Sequence, residues 1–452
     1  MSTARTATVW FLRYGIAGWA IKSAARRGDV IARASSDPNA LDDPVALYDE
    51  LHAMGPIGGN RLVSASAHHA VVNQVLRDDV FAAEPGSAPT KLLNRIMAAA
   101  IDPRALGPVD IPSLLAVQAP QHTRIRTLVS HAFTPRAIAQ YAERIEQIAH
   151  QLLDTAPATT GRFDLVHDYA ALLPITVIAE IMGVPKELRP ALLRIGNDAA
   201  MTLDPALSWR DFRAADRAIR EGNAMLDEHI ATLRRAPGDD LLSEMVRAHS
   251  DGDRLSDEEL RVNTLLLIGA GFETTVNLIG NATALLLAHP DQLGLLRDDP
   301  ELWPNAVDEV LRYESPVQAT VRIPQRDTEL AGYPLRAGRP VVCLLGAANR
   351  DPAVFSDPHR FDVTRADARS HLAFSAGAHY CLGAQLAKLE ARIALRVLFE
   401  RYPDLALAAL PTRRATRILY GYSHLPVSHR QHVSVNSLRT SDTSGSGLQS
   451  AN

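Results

Sequence analysis

Cys381 has the setting that most strongly suggests chemistry. It is one of two cysteines in 452 residues and lies between two glycines in the segment HLAFSAGAHYCLG, residues 371–383, just before a stretch that predicts a helix. Loop amides and the positive end of that helix favour a thiolate over a thiol. With no second thiol nearby and no zinc spacing, a single thiolate suits an axial ligand of haem iron, where it assists cleavage of the O–O bond. A buried structural thiol is the competing interpretation.

A second candidate group lies in the segment AGFETT, residues 270–275. Glycine inside a helix costs about 1 kcal/mol relative to alanine, so Gly269 and Gly271 suggest that a flat ligand approaches the backbone here. The neighbouring acid and alcohol, Glu273 and Thr274, are suited to delivering protons to bound dioxygen. The competing interpretation is that Thr274 only hydrogen bonds to a carbonyl of its own helix.

These residues must be positioned by a scaffold that the sequence predicts to be mainly α-helical. Apolar residues recur at the helical spacing near 121–131, 137–154, 169–183, 209–235, 257–289, 303–314 and 383–401. Strand-like stretches are confined to 57–65, 319–347 and 405–426, and loops rich in proline and glycine fall at 84–120 and 348–380. No repeat or linker divides the chain, so we predict one domain over 1–427 and a disordered polar tail over 428–452.

The composition excludes several classes of protein. The chain has 46% hydrophobic residues, 22% charged residues and a formal net charge of −4. This composition is typical of a soluble globular protein, and the charge gives no reason to expect a nucleic-acid partner. Two cysteines make no disulfide framework, so we expect a cytoplasmic protein in which Cys343 is a buried strand residue. The apolar stretch 9–21 is shorter than a transmembrane helix of about 20 residues and contains Arg13. We therefore expect no transmembrane segment, but an amphipathic segment that packs on the body or touches a surface.

The motif Phe374-x-x-Gly377-x-His379-x-Cys381-x-Gly383 resembles the haem-binding signature of the cytochrome P-450 haem-thiolate monooxygenases. The similarity runs from about residue 40 to residue 427 and is closest in kind to soluble bacterial members of actinobacterial type. It implies a helical prism that encloses haem b (iron protoporphyrin IX), with a small β-rich part and the iron bound through Cys381. The implied activity is insertion of one oxygen atom from O2 into an organic substrate.

The resemblance also implies roles for individual residues. Thr274 would help to activate iron-bound dioxygen, Glu273 would relay protons from solvent, and Ala270 and Gly271 would lie against the haem. The haem propionates need fixed donors, and the positions that match those of bacterial relatives are His122, Arg126, Arg322 and His371. Glu309 and Arg312 match a buried structural pair, which Arg360 from the loop 357–361 is expected to lock.

Three other interpretations compete with this one. The segment AFSAG, residues 373–377, is a near miss to the nucleophile elbow of serine hydrolases, but a polar stretch precedes it where a buried strand is needed. Gly269 and Gly271 begin like a dinucleotide fingerprint, yet the third glycine is missing. A haem protein that binds without turnover, such as a sensor or carrier, is the alternative of a different class. The pair Glu273 and Thr274 argues against it, because a simple binder needs no proton delivery.

The source of electrons and the substrate follow from the resemblance and from polarity. We expect a separate ferredoxin with an NAD(P)H-dependent ferredoxin reductase, and a basic landing site for the ferredoxin formed by Arg124, Lys388, Arg392 and Arg396. The pocket positions expected from the family are mostly apolar and comprise 84–118, 200–207, Ala270, Phe272, 317–321 and 420–424. They predict a hydrophobic substrate of lipid, polyketide, terpenoid or steroid type, with tailoring of a polyketide or fatty chain as the working hypothesis.

Overall fold

One long helix forms the centre of the protein, as seen in a computed structural model that describes residues 3–37, 44–60, 63–83, 100–155, 161–247, 249–250 and 253–430. In chain order the α-helices are α1 Thr3–Trp10, α2 Ile16–Arg26, α3 Val30–Ala34, α4 Val45–Ala53, α5 His69–Arg77, α6 Gln121–Ser130, α7 Pro135–Ala139, α8 Ala142–Thr155, α9 Leu172–Ile181, α10 Arg189–Ala200, α11 Trp209–Arg235, α12 Leu241–Arg247, α13 Asp257–Ala288, α14 Pro290–Asp298, α15 Trp303–Tyr313, α16 Leu345–Ala348 and α17 Ala384–Arg401. Five-residue π-helical turns at Phe11–Gly15 and Val166–Ala170 precede α2 and α9.

The central helix α13 begins at a capping box. The Ser256 side chain accepts from the Glu259 amide, and the Glu259 carboxylate accepts from the Ser256 amide. The helix packs against α9, α10 and α17. It is long and apolar enough to cross a membrane, but most of its apolar window is buried inside the protein, which marks it as a core helix.

The β-rich part consists of short strands that form several small sheets. The strands are β1 Gly58–Gly59, β2 Ser64–Ser66, β3 Phe81–Ala82, β4 Arg162–Asp164, β5 His249–Ser250, β6 Asp253–Arg254, β7 Thr320–Pro324, β8 Thr328–Leu330, β9 Tyr333–Leu335, β10 Val341–Cys343, β11 Ala406–Leu407, β12 Thr412–Arg413, β13 Tyr422–His424 and β14 Pro426–Ser428. The largest sheet has the order β1-β2-β10-β7-β3, and Arg322 of β7 is paired with Val341 of β10. Cys343 is fully buried in β10, as the sequence predicts.

The helical periodicity predicted the main scaffold correctly. Each predicted helix is present, and α11 has the predicted bounds of 209–235. Two predicted helices are divided: 137–154 between α7 and α8, and 169–183 between the π-helical turn and α9. The last strand, β14, continues to Ser428, one residue beyond the predicted end of the domain, while residues 431–452 of the predicted tail lie outside the described residues.

A buried ion pair joins α15 to the loop that leads towards Cys381. Arg312 and Glu309 are both fully buried, with Arg312 Nε 2.6 Å from Glu309 Oε2 and Arg312 Nη2 2.8 Å from Glu309 Oε1. The arginine that joins them is Arg365, whose Nε donates to Glu309 Oε1 at 3.2 Å. The prediction of Arg360 was wrong, because Arg360 contributes its backbone carbonyl to Arg312 and its exposed side chain lies near Asp362.

Candidate active site

The backbone closes the loop that carries Cys381. The Cys381 amide donates to the carbonyl of Phe374 at 3.0 Å, and Ser375 and Gly377 have positive φ angles of 62° and 67°. A Cβ on Gly377 would collide with the backbone carbonyl of Leu76, at the end of α5. Glycine is therefore required at 377 both by the left-handed backbone and by the close approach of another segment.

The thiol of Cys381 is exposed and faces opposing influences on its pKa. Protein atoms packed around the loop raise the pKa, while the Gly383 amide and the charge of Arg126 lower it. The stabilisation of the thiolate expected from the sequence is thus present, but the loss of solvation caused by the packed loop atoms outweighs it. A bound metal ion removes this cost, because a coordinating thiol is deprotonated outright. A Cβ on Gly383 would have no atom within 4 Å, so there is open space beside the loop.

The middle of α13 has a short exposed strip in a mostly buried helix. Ala270 is exposed, and a Cβ built on Gly269 would have no neighbour within 4 Å. Gly271 differs from the expectation, since its Cβ would lie 3.1 Å from Ile178 of α9. The small size of Gly271 thus serves the packing of two helices, while the strip at 269–270 is open to a ligand.

Thr274 lies one helical turn beyond the exposed alanine. Its hydroxyl donates to the carbonyl of Ala270 at 2.9 Å, which is the back-bonded geometry of the competing interpretation. That bond uses the hydroxyl proton and leaves lone pairs on the oxygen, so the same hydroxyl can still accept a hydrogen bond. The structure therefore places Thr274 beside the open strip, held in one orientation by its own helix.

Glu273 is 2% exposed and has an ion-pair partner that the sequence analysis missed. Arg414, directly after β12, contacts Glu273 Oε1. Burial raises the pKa of Glu273, and the charge and hydrogen bond of Arg414 lower it in part. A carboxyl group with a raised pKa can exchange protons closer to neutral pH, which suits a proton relay. The only signal for Arg414 in the sequence was a pair of adjacent arginines at 413–414, far from Glu273 along the chain.

His122, Arg126, Arg322 and His379 form a group of nitrogen donors near Cys381, here called the donor cluster. The rings of His122 and His379 lie 4.3 Å apart between centroids. Burial, followed by the positive charges of His122, Arg322 and Arg126, lowers the pKa of His379 to about 3. Each member of the cluster therefore disfavours a further positive charge, and an anion would be stabilised among them.

The arginines of the donor cluster are held by carbonyls. Arg126 donates to the carbonyls of Ala378 and Tyr380 at 3.1 and 2.7 Å, which fixes the loop beside Cys381. Arg322 is 5% exposed and donates to Thr320 Oγ1 at 3.0 Å and to the Val321 carbonyl at 2.9 Å. Among the described residues, neither arginine has a carboxylate partner within salt-bridge distance. A buried cation that has no carboxylate partner needs some other anion to compensate its charge.

His371, which the resemblance placed among the propionate donors, lies apart from the cluster. Its Nε2 is 3.4 Å from Asp308 Oδ1, and its Nδ1 accepts from the Ala373 amide at 3.2 Å. Lys388 contacts the same aspartate. Both ring nitrogens of His371 are thus engaged in this structure, its role as a propionate donor stays a prediction, and His379 is a further candidate for that role. The signal for His379 was present, because it lies inside the signature motif, two residues before Cys381.

The residues present fit a flat cofactor that carries two carboxylates. The donor cluster lacks an acid, and His122 Nε2 is buried without a hydrogen-bond partner. The exposed sulfur of Cys381 lies near Arg126 of this cluster. Haem has a metal ion for the thiolate and two propionates for the buried nitrogen donors. Cys381, Arg126, Arg322, His122 and His379 would hold it.

The expected basic landing site is largely neutralised. Arg124 contacts Glu259, Lys388 contacts Asp308, and Arg396 is 2.7 Å from Glu146 and 3.1 Å from Glu400. These carboxylates compensate three of the four predicted charges, which sequence spacing could not reveal because most of the partners are distant in the chain. A charged landing surface therefore cannot consist of these side chains as free cations.

Some predicted pocket residues turn out to pack inside the protein. Phe272 is fully buried, and a Cβ on Gly196 of α10 would collide with its ring. The carbonyl of Leu207 accepts from Trp10 Nε1 at 2.9 Å. By contrast, Val321 is 43% exposed and Ala270 is exposed, so both remain available to line a pocket. Residues 84–99 of the predicted pocket loop lie outside the described residues.

Comparison with known proteins agrees with this geometry. A family model described as cytochrome P-450 matches residues 159–403. A Mycobacterium tuberculosis sequence named as cytochrome P-450 140 is 44% identical over 93% of this chain and 96% of the relative. The 6-deoxyerythronolide B hydroxylase of Saccharopolyspora erythraea is 45% identical over 68% of this chain and 76% of the relative. The solved structure of P-450BioI in complex with an acyl carrier protein ligated by hexadec-9Z-enoic acid has a TM-score of 0.78 and 34% identity, covering 87% of this chain and 100% of that chain.

Proposed function

The chain belongs to the cytochrome P-450 family and is a monooxygenase, and from this premise we propose that it inserts one oxygen atom of O2 into a hydrophobic organic substrate. Electrons come from NAD(P)H through a separate ferredoxin and ferredoxin reductase. The observation that carries the proposal is the exposed thiol of Cys381 beside a donor cluster that lacks an acid partner. The setting is the bacterial cytoplasm.

A haem bound through Cys381 supplies the metal that binds and activates O2. The chain contributes the geometry around it. Arg126 fixes the loop of Cys381 through two carbonyls, and Arg322 offers a buried positive charge to a propionate. His122 has a free buried nitrogen for a further hydrogen bond. These donors would set the orientation of the cofactor before any substrate enters.

Proton delivery rests on two neighbouring side chains of α13. Glu273 is the proton carrier, because it is buried, has a raised pKa and is held by Arg414. Thr274 can accept a hydrogen bond beside the open strip, while its own hydroxyl donates to the Ala270 carbonyl. Oxygen activation requires a group that exchanges protons with solvent and a group that offers a hydrogen bond in a fixed position. Glu273 would do the first and Thr274 the second.

The substrate is proposed to be a polyketide or a fatty chain. Val321 and Ala270 offer apolar exposed surface, and the nearby acid Glu273 is buried against Arg414. Binding would therefore depend on burial of apolar area. Two similar proteins support this class by their names, one a hydroxylase of 6-deoxyerythronolide B and the other a complex with a hexadecenoic acid on a carrier protein.

The proposal is tested by a substrate screen with the haem-loaded enzyme. Fatty acids, macrolide precursors, terpenoids and steroids are titrated, and binding is read from the shift of the Soret band as ligand displaces water from iron. A hit is then incubated with NADPH, a ferredoxin, its reductase and O2, and the hydroxylated product is measured. We expect shifts with long apolar ligands. A response to small charged ligands alone would contradict the apolar pocket.

A matched pair of variants shows whether the site lies where proposed. Val321→Trp should abolish the ligand-induced shift by filling the pocket, whereas Leu410→Trp, at a side chain that is 92% exposed, should leave it unchanged. Cys381→Ser should abolish the carbonyl difference spectrum of thiolate-ligated haem. If that spectrum persists in Cys381→Ser, the ligand assignment is wrong.

A further inference from the structure

The first helical segment exposes large apolar side chains to solvent. Phe11 is 54% exposed, Ile16 is 50% exposed, and Trp19, at 73%, is the most exposed aromatic side chain in the described part of the chain. The π-helical turn at Phe11–Gly15 widens the helix locally. Ile16 follows Phe11 by five residues and Trp19 follows Ile16 by three, so the three side chains lie towards one face. We call Phe11, Ile16 and Trp19 the N-terminal apolar face.

The opposite side of this segment is firmly attached to the protein. Trp10 Nε1 donates to the carbonyl of Leu207 at 2.9 Å, and the Tyr14 hydroxyl donates to the carbonyl of Thr202 at 3.1 Å. Tyr14 and Gly18 are buried, so the segment has a packed inner side. The apolar face is therefore held outward by a structured helix, and its exposure is not explained by an unanchored end.

The charges around the face all have the same sign. Residues 1–28 contain five basic side chains and no aspartate or glutamate, in a chain with a net charge of −4. Arg13 is paired with Asp110, whereas the exposed ones are Arg5, Lys22, Arg26 and Arg27. Lys22 and Arg26 follow Trp19 by three and seven residues, so they lie along the same side of α2.

We propose that the N-terminal apolar face and its flanking basic residues bind the surface of an anionic lipid bilayer. A helix with aromatic and aliphatic side chains on one side and lysine or arginine at its edges lies in the membrane interface, where the apolar groups enter the acyl boundary and the cations meet lipid phosphates. A second copy of the chain fits less well, because a symmetric pair would place two basic faces against each other. The helix thus serves as a peripheral membrane contact that leaves the body of the enzyme in solution.

The experiment measures binding of the haem-loaded enzyme to vesicles. Phosphatidylcholine vesicles with and without phosphatidylglycerol are compared by flotation at low and high salt, and brominated lipids report contact with tryptophan by quenching. We expect binding that requires phosphatidylglycerol, weakens with salt and quenches Trp19. The variant Lys22→Glu with Arg26→Glu should weaken binding by about tenfold or more, since each basic residue near an anionic surface contributes about 1 kcal/mol.

Control variants separate this proposal from other causes. Phe11→Ser with Trp19→Ser should abolish binding, while Leu410→Ser, at an even more exposed apolar side chain elsewhere, and Arg326→Glu should leave binding unchanged. The carbonyl difference spectrum of each variant shows that the haem protein is still folded. Absence of vesicle binding by the unmodified enzyme would overturn the proposal. So would a dimer in sedimentation experiments that the Phe11 and Trp19 substitutions dissociate, since the face would then bind a second copy.

An independent observation concerns a group of metal-ligating side chains at the surface, Asp164, His167 and His424. One ligand atom from each lies within 4.8 Å of those of the others, and His424 Nδ1 is 2.9 Å from Asp164 Oδ2. The other oxygen of Asp164 accepts backbone amides of Val166 and Leu425 at 2.9 and 3.3 Å. The carboxylate is thus oriented by the backbone through Oδ1, with Oδ2 directed at His424.

We propose that this group binds a divalent ion of the Zn²⁺ class, with water as the remaining ligand. Two imidazole nitrogens and one carboxylate oxygen form a common donor set for zinc, whose tetrahedral ligands lie about 3.4 Å apart at the usual bond lengths. The His167 and His424 rings already lie 4.8 Å apart between centroids, so modest side-chain rotations complete the geometry. The ion would join β13 to the π-helical turn that precedes α9.

Calorimetric titration of the haem-loaded enzyme with Zn²⁺ alone tests this site. We expect one binding event that is lost in His424→Ala and in Asp164→Asn, and kept in His150→Ala, which removes an exposed histidine outside the group. Zinc binding that is unchanged in His424→Ala, or equally reduced in His150→Ala, would overturn the assignment.

Discussion

The ion pair between Glu273 and Arg414 allows a quantitative prediction. Removing one partner of a buried pair costs about 3–5 kcal/mol, because the other charge is left without compensation. The Arg414 side chain is 17% exposed and that of Glu273 is 2% exposed, so part of the pair is reached by water. We therefore expect Arg414→Met to lower the free energy of unfolding by about 3 kcal/mol, the lower end of that range, or about a hundredfold in the equilibrium constant.

The assay is a double-mutant cycle on the haem-loaded enzyme, followed by urea unfolding. Glu273→Met alone should also be destabilising, but the double variant should recover most of the loss, because two apolar side chains leave no buried charge. Arg326→Met, at an exposed arginine, serves as control and should change the free energy by no more than about 0.5 kcal/mol. Additive effects in the cycle, or a cost below about 1 kcal/mol for Arg414→Met, would show that the pair is not coupled.

The same variant has a catalytic readout. Arg414 lowers the pKa of Glu273 against the effect of burial. Without the arginine this pKa rises further, so the carboxylate form appears only at higher pH. We expect the rising limb of the pH profile of product formation to move to higher pH in Arg414→Met. An unchanged profile would mean that proton delivery does not depend on Glu273.

Three further predictions concern the oxygen site, the donor cluster and the core. Thr274→Ala should divert reducing equivalents into hydrogen peroxide, and unchanged coupling of NADPH consumption to product would exclude Thr274 as a key group. His379→Ala should increase the rate of haem transfer to an acceptor apoprotein more than His371→Ala does, because His379 lies in the donor cluster; the reverse order would favour His371 as the propionate donor. Burial raises the pKa of Glu390 well above its usual value against a hydrogen bond from Thr275, so stability is lost as pH rises from the unfolded value towards the folded one. Glu390→Gln should therefore gain stability at pH 8 relative to pH 5, as measured by urea unfolding, and an equal effect at both values would refute the reasoning.

The parts of the site that lie within one short segment could be predicted from the sequence. Two local patterns carried the prediction. One is Cys381 with its flanking glycines, and the other is the adjacent pair Glu273 and Thr274. In each, the residue types and their spacing are what the proposed chemistry needs. The long helices were equally accessible, because burial of one face imposes a period of 3.6 residues. The structure shows Thr274 in the back-bonded geometry, and its functional role stays a prediction that this geometry allows, since one hydroxyl can donate to its helix and accept from a ligand.

The parts that depend on contacts between distant segments could not be predicted. Arg414 contacts Glu273 from the residue that follows β12. Arg365 takes the role expected of Arg360, because the side chain of Arg360 is turned outward. The sequence predicts that Arg124 and Lys388 are unpaired charges, but in the fold each forms an ion pair with a carboxylate. Charge partners of this kind follow from tertiary packing, which leaves no periodic signal.

The close approach of α5 to the loop of Cys381 has a consequence for how the enzyme is assembled. Gly377 packs on the end of α5, and His69 Nε2 of the same helix lies 2.8 Å from the carbonyl of Ser370, across a separation of 301 residues. Contacts between such remote parts of a chain are among the slowest to form. The shape of the loop that carries Cys381 therefore depends on a contact with α5, 301 residues earlier in the chain, and we expect a chain that lacks α5 to keep the cysteine but to lose this loop conformation.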